Sequence, residues 1–385
     1  MRILYWGDSP TVATGLGNVS KNLLSHLSSN HEITVIGVND RGGYKDPKEY
    51  PYKIYPAIYD NYYDVWGALR LINVFKKQDK EIKWEEDFDV FITNLDFFLF
   101  SELKVDGITL LENLKIVMPK NIKKIIYTPI DNEIIYKNWL EVFKFFDIMY
   151  VPSYYARNVL KKYGFNDVKV IYYPLDTQNF YPKQMPDKPK EKFVIGYVGR
   201  NQWRKDLFSL IKIFSEFKRK HKEAYLYIHT NPTDREQQGW NLLDILKHHD
   251  LYLYQDYFVP VDLDVNKGQE RKKMVDVYNY FDVFLSSSTG EGFGMPYVES
   301  LLCEVPIIIP DNTVSKEFEQ FSYIYKADRP YSFGFIDYNR IRNLVNIEDG
   351  VEKLEYVYTH RKEAKEKAKR GREFFLNYKF DFKIC

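Results

Sequence analysis

Residues 286–306 read SSSTGEGFGMPYVESLLCEVP, in which small hydroxyl side chains lead into a glycine-rich turn and then into a helix-like segment. The turn follows a predicted strand over residues 282–288, and the helix is predicted to begin near Met295. Glycines let the backbone approach an anion closely, and a helix N-terminus offers N–H groups without intrahelical partners. Glu291 lies in the turn, and Glu299 lies on the helix, where its carboxylate can accept two hydroxyl hydrogen bonds. The stretch therefore predicts a site for a ligand that carries phosphate and diol groups.

The rest of the chain alternates short apolar strands with amphipathic helices. In the first half, the predicted strands cover residues 2–6, 32–38, 88–94, 123–130, 147–153 and 168–175. The alternation starts again at residue 193, and the predicted strands there cover residues 193–200, 224–230, 251–258, 282–288 and 306–310. Strands separated by helices predict open parallel sheets, and ligands of such sheets bind beyond the carboxyl ends of the strands.

The change of pattern between the two halves predicts the domain boundaries. Residues 1–175 form the first predicted domain and residues 193–350 the second. Residues 176–192 contain three prolines and no apolar periodicity, so we interpret them as a linker. Residues 351–385 are charged and amphipathic, which predicts one or two C-terminal helices. Packing of this segment against the first domain is left open.

Composition excludes several classes of protein. The 385 residues are 45% hydrophobic and 28% charged with a net charge of +1, which is typical of a globular protein and gives no support for broad nucleic-acid binding. Two cysteines argue against a disulfide framework and favour a reducing, cytoplasmic location. The sequence predicts neither a signal peptide nor a membrane span. The aromatic stretches 97–100 and 139–146 are interpreted as core, with peripheral membrane docking as the open alternative.

A second motif, YVGRNQWRKD over residues 197–206, follows the first predicted strand of the second domain. Arg200 and Lys205 lie on either side of a loop that leads into a helix, and two cations at such a place suit a diphosphate. Arg204 is a competing cation that the spacing favours less. Two basic residues taken alone are more often a solvated surface than a site.

Two further motifs lie in the first domain. Gly15, Leu16 and Gly17 are predicted to form a turn ahead of the first helix. This turn lacks the third glycine of a dinucleotide site, because position 20 is serine. Asp131 lies in YTPIDNE, at the end of a predicted strand, where the alternative is an aspartate that caps the following helix. The seven histidines show no metal-ligand spacing, and we predict no protein-bound metal ion.

The segment EGFGMPYVESLLCEVPIII resembles the E-x7-E signature of retaining glycosyltransferases of family 4, which have the GT-B fold. The family pattern is Glu-Gly-Phe-Gly-apolar-Pro-x-x-Glu, followed by a small residue, Gly-x-Pro and a strand. Glu304 departs from it, since the family usually has glycine there. Gly199, Arg200 and Lys205 match the Gly-Arg-x4-Lys pattern that binds the donor diphosphate in the family. The resemblance is strong over residues 193–317 and weaker in the first domain.

The resemblance implies an α/β protein of the GT-B class, with two Rossmann-like open-sheet domains that face a central cleft. The first domain would bind the acceptor and the second the nucleotide sugar. In this reading Glu291 holds a sugar hydroxyl, Glu299 holds the ribose, and Asp131 stands where many members carry a histidine. The implied catalytic residues are Glu291, Asp131, Arg200 and Lys205. The implied donor-binding residues are Gly15, Leu16, Gly17, Gly199, Arg200, Lys205, Gly292, Phe293, Gly294 and Glu299.

The implied reaction transfers a sugar from a nucleotide-diphosphate sugar, UDP- or GDP-linked, to a hydroxyl of a glycan, a glycolipid or a protein-linked glycan. No cofactor and no nucleic-acid partner are expected. Two alternatives stay open. One is a GT-B protein that binds nucleotide sugars or acts as a scaffold without catalysis, and the other is a glycosyltransferase that acts on modified DNA.

Overall fold

The computed structural model describes residues 1–40, 42–43, 45–58, 64–83, 87–233, 239–260 and 271–384. The chain divides into two compact units. The first comprises Met1–Leu175 together with Phe380–Cys385, and the second comprises Asp176–Lys379. No helix among the described residues is long and apolar enough to cross a membrane.

The first unit is built on a parallel sheet. Its described strands are β1 (Arg2–Asp8), β2 (Glu32–Val38), β3 (Lys53–Pro56), β4 (Val90–Thr93), β5 (Lys104–Val105), β6 (Ile108–Thr109), β7 (Lys123–Tyr127), β8 (Ile148–Val151) and β9 (Val168–Val170). The main sheet has the order β3-β2-β1-β4-β7-β8-β9, and β5 and β6 form a separate antiparallel pair. The described helices are α1 (Gly15–Leu27), α2 (Ala68–Phe75), α3 (Leu99–Glu102), α4 (Leu110–Val117), α5 (Lys137–Phe145) and α6 (Tyr154–Lys162).

The second unit repeats the plan. Its described strands are β10 (Phe193–Val198), β11 (Ala224–His229), β12 (Tyr257–Phe258), β13 (Val283–Leu285), β14 (Ile307–Pro310), β15 (Ser322–Tyr325), β16 (Arg329–Ser332) and β17 (Ile341–Leu344). The parallel sheet has the order β12-β11-β10-β13-β14-β15, and β16 pairs with β17 as an antiparallel hairpin. The described helices are α7 (Leu207–Lys220), α8 (Leu242–His248), α9 (Arg271–Asn279), α10 (Met295–Leu302), α11 (Ser315–Phe318), α12 (Ile347–Thr359) and α13 (Arg361–Asn377).

The strand order reverses beside the first strand of each sheet, between β1 and β4 and between β10 and β13. Such a reversal opens a crevice at the carboxyl ends of the two strands, and this is where open α/β sheets bind ligands. The predicted parallel α/β architecture is confirmed in both units. The strands form because runs such as residues 3–6 of β1 and the whole of β10 are apolar, which suits a sheet that helices cover on both faces.

The strand predicted over residues 251–258 is wrong over most of its length, since only β12 is formed there. The Tyr252 N–H group donates to the Asp256 carboxylate at 2.9 Å, and the Asp256 N–H group donates back to the Tyr252 carbonyl at 2.8 Å. Tyr254 between them has a φ of 64°. These local bonds close a turn, so an apolar run with alternating tyrosines does not extend.

The segment interpreted as a linker is fixed on the second unit. Phe180 is fully buried, and its ring lies 5.6 Å from that of Tyr278. The backbone N–H group of Lys183 donates to the Asn279 side chain at 2.7 Å, and Lys188 forms an ion pair with Asp282 at 2.8 Å. Residues 176–192 therefore group with the second unit although they lack regular secondary structure.

The C-terminal segment contributes to both units. In the second unit, the Arg372 side chain on α13 donates to the Leu302 carbonyl at the end of α10, at 3.1 Å. In the first unit, the Phe382 ring packs 4.6 Å from that of Tyr150, whose hydroxyl donates to the Lys383 carbonyl at 2.8 Å. The two C-terminal helices thus belong to the second unit, and the tail beyond them belongs to the first.

Most of the apolar side chains in the stretches 97–100 and 139–146 lie in the core of the first unit. Phe100 is fully buried, and Trp139 and Phe143 are each 1% exposed. The Trp139 indole N–H group donates to the Glu102 carboxylate at 2.8 Å, so its polar edge is satisfied inside the first unit. Phe98 and Phe145 of the same stretches are half-buried.

Candidate functional site

Two loops meet at the carboxyl ends of β10 and β13, at the strand-order reversal of the second sheet. The hydroxyl run at the start of residues 286–306 joins them. The Thr289 N–H and Oγ1–H groups both donate to the Arg204 carbonyl, at 2.8 and 2.9 Å. The Ser287 hydroxyl is within hydrogen-bonding distance of the carbonyls of Lys205 and Asp206, at 2.9 and 2.8 Å. The small polar residues therefore hold the basic loop against the glycine-rich turn.

The two loops bring three charged side chains together. Lys205 and Glu291, each 8% exposed, form an ion pair. Arg204 donates to the Gly290 carbonyl at 2.9 Å, and its guanidinium lies 3.4 Å from the Glu291 carboxylate. Burial alone would raise the pKa of the Glu291 carboxyl, but the charges of Lys205 and Arg204 outweigh burial and hold this pKa below its usual range. Glu291 is therefore a buried, ionised carboxylate at neutral pH.

Arg204 is the residue that the sequence spacing undervalued. The structure places Trp203–Lys205 in a single 3-10 turn, so Arg204 and Lys205 both reach the loop that contains Glu291. The motif spacing pointed to Lys205 and treated Arg204 as a competitor. The signal in the sequence is that Arg204 and Lys205 are adjacent, since adjacent residues in a tight turn can contact the same partner.

Arg200 lies half-buried at the start of the same loop, directly after Gly199. A Cβ atom at Gly199 would lie 2.5 Å from the hydroxyl oxygen of Tyr197, so a larger residue at this position would have to displace the buried Tyr197 ring. The Arg200 carbonyl accepts a hydrogen bond from the Gln202 N–H group at 3.0 Å, which turns the chain toward Lys205.

The helix after the glycine-rich turn begins at Met295, as predicted. Gly294 is its N-cap residue and has a φ of 85°, a left-handed conformation that favours glycine. A Cβ atom there would also lie 2.5 Å from the Tyr297 ring. Phe293 is 3% exposed and anchors the turn. The positive end of the α10 dipole therefore lies at the carboxyl end of the sheet, beside the charged cluster. Pro296 has no N–H group and the Tyr297 N–H group donates to the Gly294 carbonyl at 2.9 Å, so the Met295 N–H group is the one that this turn could offer to a ligand.

Glu299 is not the solvated helix carboxylate of the simpler interpretation. It is 7% exposed, and it accepts a hydrogen bond from the Tyr278 hydroxyl at 2.6 Å. Tyr278 is fully buried on α9 and was not identified from the sequence. No local pattern could have identified it, because Tyr278 and Glu299 lie on different helices.

The departure from the family pattern at Glu304 leaves the end of α10 intact. Glu304 has a φ of 55°, the left-handed conformation that glycine usually supplies at this position. The Glu304 N–H group donates to the Leu301 carbonyl at 2.8 Å, and the Val305 N–H group donates to the Ser300 carbonyl at 2.9 Å. The helix thus closes with the usual pair of C-terminal hydrogen bonds in spite of the missing glycine.

Asp206 follows Lys205 and caps α7. Its carboxylate accepts a hydrogen bond from the Ser209 N–H group at 3.2 Å, its φ is 45°, and it is 4% exposed. Burial raises the pKa of the Asp206 carboxyl to about 6, against hydrogen bonds from Ser209 and the charge of Arg329, which lower it. The fold therefore favours the protonated form of this side chain.

We expect Asp206→Asn to stabilise the protein by about 1–3 kcal/mol above pH 6. The wild-type carboxyl contributes stability that is fully present below its unfolded pKa near 3.8 and is lost as the pH rises through about 6. Asparagine stays neutral, caps helices and tolerates a left-handed φ. Urea unfolding of both proteins from pH 4 to 8 measures the difference. If the difference in unfolding free energy between the two proteins does not grow between pH 4 and 6, ionisation of the Asp206 carboxyl is not the cause of that difference.

The glycine motif of the first unit is the first turn of α1 and not a turn ahead of it, so that prediction is wrong. The helix begins at Gly15 because the Thr14 hydroxyl accepts a hydrogen bond from the Gly17 N–H group at 2.9 Å. Thr14 donates in turn to the Asp8 carboxylate at 2.5 Å. A Cβ atom at Gly17 would lie 2.4 Å from the Val12 carbonyl oxygen, so glycine is required there.

Asp131 lies half-buried beyond the carboxyl end of β7 in the first unit. The alternative role as a helix cap does not hold, because α5 begins at Lys137 with Tyr136 at its N-cap and no side-chain cap hydrogen bond. Asp131, Gly15, Leu16 and Gly17 thus lie in the first unit, and the other candidate residues lie in the second. In the parts of the chain that the structure describes, no group of three or more His, Cys, Asp or Glu residues could hold a metal ion.

The part of the chain that contains both loops is similar to known proteins. Residues 182–320 match the family described as glycosyl transferases group 1. The serotype-specific mannosyltransferase WbdA of Escherichia coli is 30% identical over 148 residues, which are 34% of this chain and 15% of that protein. The chain thus spans a small part of the curated relative that it matches.

Solved structures are similar over nearly the whole chain. Sucrose-phosphate synthase from Thermosynechococcus elongatus has a TM-score of 0.69 at 12% identity, covering 97% of this chain and 93% of that one. A glycosyltransferase from Rickettsia africae has a TM-score of 0.66 at 14% identity, covering 98% and 93%. HepE from Anabaena, in complex with UDP and glucose, has a TM-score of 0.66 at 11% identity, covering 97% and 94%. The chain has the predicted GT-B fold.

Proposed function

We propose that this protein is a retaining glycosyltransferase of the family 4 type. It transfers a sugar from a nucleotide-diphosphate sugar to a hydroxyl of a glycan or glycolipid acceptor. The observation that carries the proposal is the buried cluster of Lys205, Arg204 and Glu291 at the strand-order reversal, next to the N-terminus of α10. A cluster of this kind offers cations and N–H groups to a diphosphate and a carboxylate to a sugar.

Each candidate residue has a role in this proposal. Arg200, Lys205 and the positive N-terminal end of α10 meet the diphosphate. Glu291 accepts a hydrogen bond from a sugar hydroxyl, and its low pKa keeps it an acceptor at neutral pH. Glu299, which is held in position by the hydrogen bond from the Tyr278 hydroxyl, accepts hydrogen bonds from the ribose hydroxyls. The roles that the resemblance implies for Gly15, Leu16, Gly17 and Asp131 of the first unit stay predictions.

The proposed reaction needs no protein nucleophile. The acceptor hydroxyl attacks the anomeric carbon from the face that the leaving diphosphate vacates, so the configuration is retained. The bond from the sugar to the diphosphate breaks, negative charge develops on the leaving group, and the proton of the acceptor hydroxyl passes to an oxygen of the departing diphosphate on the same face. The contribution of the protein is then to position the reactants and to stabilise that charge. The ion pair with Glu291 holds Lys205 in place before the donor arrives, which is the arrangement that preorganised electrostatic catalysis requires.

The alternatives are a nucleotide-sugar-binding protein without catalysis and a glycosyltransferase that acts on modified DNA. The proposal is supported over the first by the presence of all four charged residues of the motifs, Arg200, Lys205, Glu291 and Glu299. It is supported over the second by a net charge of +1, since binding to DNA draws most of its affinity from phosphate contacts. The relative named a mannosyltransferase and the UDP and glucose in the HepE complex favour a sugar-nucleotide donor.

A thermal-shift screen against UDP-, GDP- and ADP-sugars tests the proposal directly. A ligand that binds only the folded state stabilises it by RT ln(1 + [L]/Kd), about 2.7 kcal/mol at 100 times Kd. We expect one class of sugar nucleotide to raise the melting temperature and to be consumed when acceptor is added. Stabilisation without turnover would favour the binding protein, and no stabilisation by any sugar nucleotide would contradict the proposal.

We expect activity to survive EDTA. In the proposed site the diphosphate charge is met by Arg200, Lys205 and backbone N–H groups, so a divalent cation is not needed to neutralise it. Turnover measured before and after EDTA treatment, and again after adding Mg²⁺ or Mn²⁺, checks this expectation. Complete loss with EDTA and recovery with either cation would overturn the metal-free mechanism.

A further inference from the structure

The hairpin of β16 and β17 is built around a buried ionic cluster. Asp337, in the 3-10 turn Gly334–Asp337 of the hairpin loop, is 1% exposed, and Arg340 and Arg342 are 6% and 3% exposed. Arg342 donates through Nε to Asp337 Oδ2 at 2.5 Å and through Nη2 to Oδ1 at 3.0 Å. Arg340 donates through Nε to Asp337 Oδ1 at 3.0 Å. Because a guanidinium with two bonds to one carboxylate has a defined plane, Asp337 fixes the orientation of Arg342.

The fixed guanidinium of Arg342 lies over the loop that contains the candidate site. Its central carbon is 5.3 Å from the centre of the Trp203 ring, within the range of a cation–π contact. The Phe333 ring, from the same hairpin loop, lies 4.8 Å from the Trp203 ring. Trp203 is the first residue of the 3-10 turn that carries Arg204 and Lys205. The hairpin therefore packs against the turn that supplies the cations of the proposed site.

This contact gives the cation-bearing turn a second support. On one side, Ser287 and Thr289 bond to the carbonyls of the turn, as described above. On the other side, the Trp203 ring is held by Phe333 and Arg342. A three-residue 3-10 turn has few hydrogen bonds of its own, so its position depends on what packs against it. A small displacement of a side chain that positions the reactants can lower the rate of an enzyme by a large factor.

We propose that Arg342, oriented by Asp337, is a positioning residue that sets the place of Arg204 and Lys205 through the Trp203 ring. The inference rests on the proposed function, because it concerns the cations that would meet the donor diphosphate. It assigns a role in the reaction to a hairpin that lies outside the parallel sheet. The competing explanation is that the cluster only stabilises the hairpin.

Arg340 supplies a matched control. Arg340 and Arg342 are both buried and both bonded to Asp337, so Arg340→Leu and Arg342→Leu each leave that carboxylate with one arginine fewer. Arg342 is the one whose guanidinium lies over Trp203. If the cluster only stabilises the hairpin, the two variants lose stability and activity alike. If Arg342 positions the turn, its variant loses turnover that the Arg340 variant keeps.

The first measurement is turnover of UDP-glucose and GDP-mannose, the two probes, at a temperature where all variants are folded. We expect Arg342→Leu to lower kcat about 10- to 100-fold relative to Arg340→Leu. Trp203→Leu, which leaves the buried ionic cluster intact, should lower kcat by the same factor as Arg342→Leu. Trp203→Phe, which keeps an aromatic ring, should have a kcat close to that of the wild-type protein. The double variant Trp203→Leu, Arg342→Leu should be no slower than either single variant, because both changes remove one coupling. Equal losses in the two arginine variants, or losses that multiply in the double variant, would overturn the inference.

The second measurement needs no substrate. Hydrogen exchange of the peptide that covers residues 200–206 reports the opening of the turn in the free protein. We expect faster exchange there in Arg342→Leu and Trp203→Leu than in Arg340→Leu. Unchanged exchange in both would overturn the inference even if the protein is a glycosyltransferase. If the wild-type protein turns over neither probe nor any other sugar nucleotide, the proposed function fails, and the exchange result still decides whether Arg342 holds the turn.

Discussion

Replacement of Arg200 or Lys205 by alanine is expected to lower turnover roughly 30- to 1000-fold, which corresponds to about 2–4 kcal/mol of transition-state stabilisation. In the proposed reaction, negative charge grows on the leaving diphosphate, and these two side chains lie in the loop that would meet it. Lys205 acts from a buried position, where an ionic contact is less screened than at the surface. Steady-state kinetics with the donor identified by thermal shift measure the effect, and it should appear in kcat.

The two variants differ in what else they disturb. Lys205→Ala removes the ion pair that the buried Glu291 carboxylate makes with Lys205, and breaking a buried pair costs about 3–5 kcal/mol of stability. Melting curves must therefore accompany the kinetics, and Arg200→Ala is the cleaner test. Arg219→Ala is a suitable control, because Arg219 is an exposed cation on α7 that pairs with Glu216. Full activity in both Arg200→Ala and Lys205→Ala would show that the diphosphate binds elsewhere.

Glu299→Gln is expected to weaken nucleotide binding roughly 10- to 150-fold, since a hydrogen bond to a charged group contributes about 1.5–3 kcal/mol. The carboxylate is proposed to accept both ribose hydroxyls, and an amide offers one acceptor oxygen in place of two. Calorimetric titration of both proteins with the nucleoside diphosphate of the preferred donor measures the change. Equal affinities would remove Glu299 from the site.

Tyr278→Phe separates binding by Glu299 from its place in the fold. This variant removes the hydroxyl that donates to Glu299 at 2.6 Å but keeps the carboxylate and the ring. If Glu299 binds ribose, Tyr278→Phe should retain far more affinity than Glu299→Gln, because both acceptor oxygens remain. If the carboxylate serves only to satisfy the buried Tyr278 hydroxyl, both variants should lose stability and neither should lose affinity.

The alternation of apolar strands and amphipathic helices was sufficient to predict the two parallel sheets. Strands such as β10 and β14 are apolar along their whole length, and this local property marks a strand buried on both faces. The start of α10 at Met295 could also be predicted from the sequence, because Gly294 and Pro296 are residue types that occur often at helix N-termini. Where the local signal was ambiguous, as in residues 251–258, the prediction failed because side-chain bonds within the segment closed a turn.

By itself, the sequence determined which loops are the candidates for the site, because the carboxylates of residues 286–306 and the cations of residues 197–206 are local motifs set by spacing along the chain. Only the tertiary structure decided their partners. Arg204 joins Lys205 at Glu291, Tyr278 holds Glu299, and Arg342 lies over Trp203. The physical reason is that strand order and helix packing create these contacts between residues far apart in the chain. The spacing of residues along the chain identifies the charged side chains. Their burial and their contacts with neighbouring elements depend on the tertiary structure.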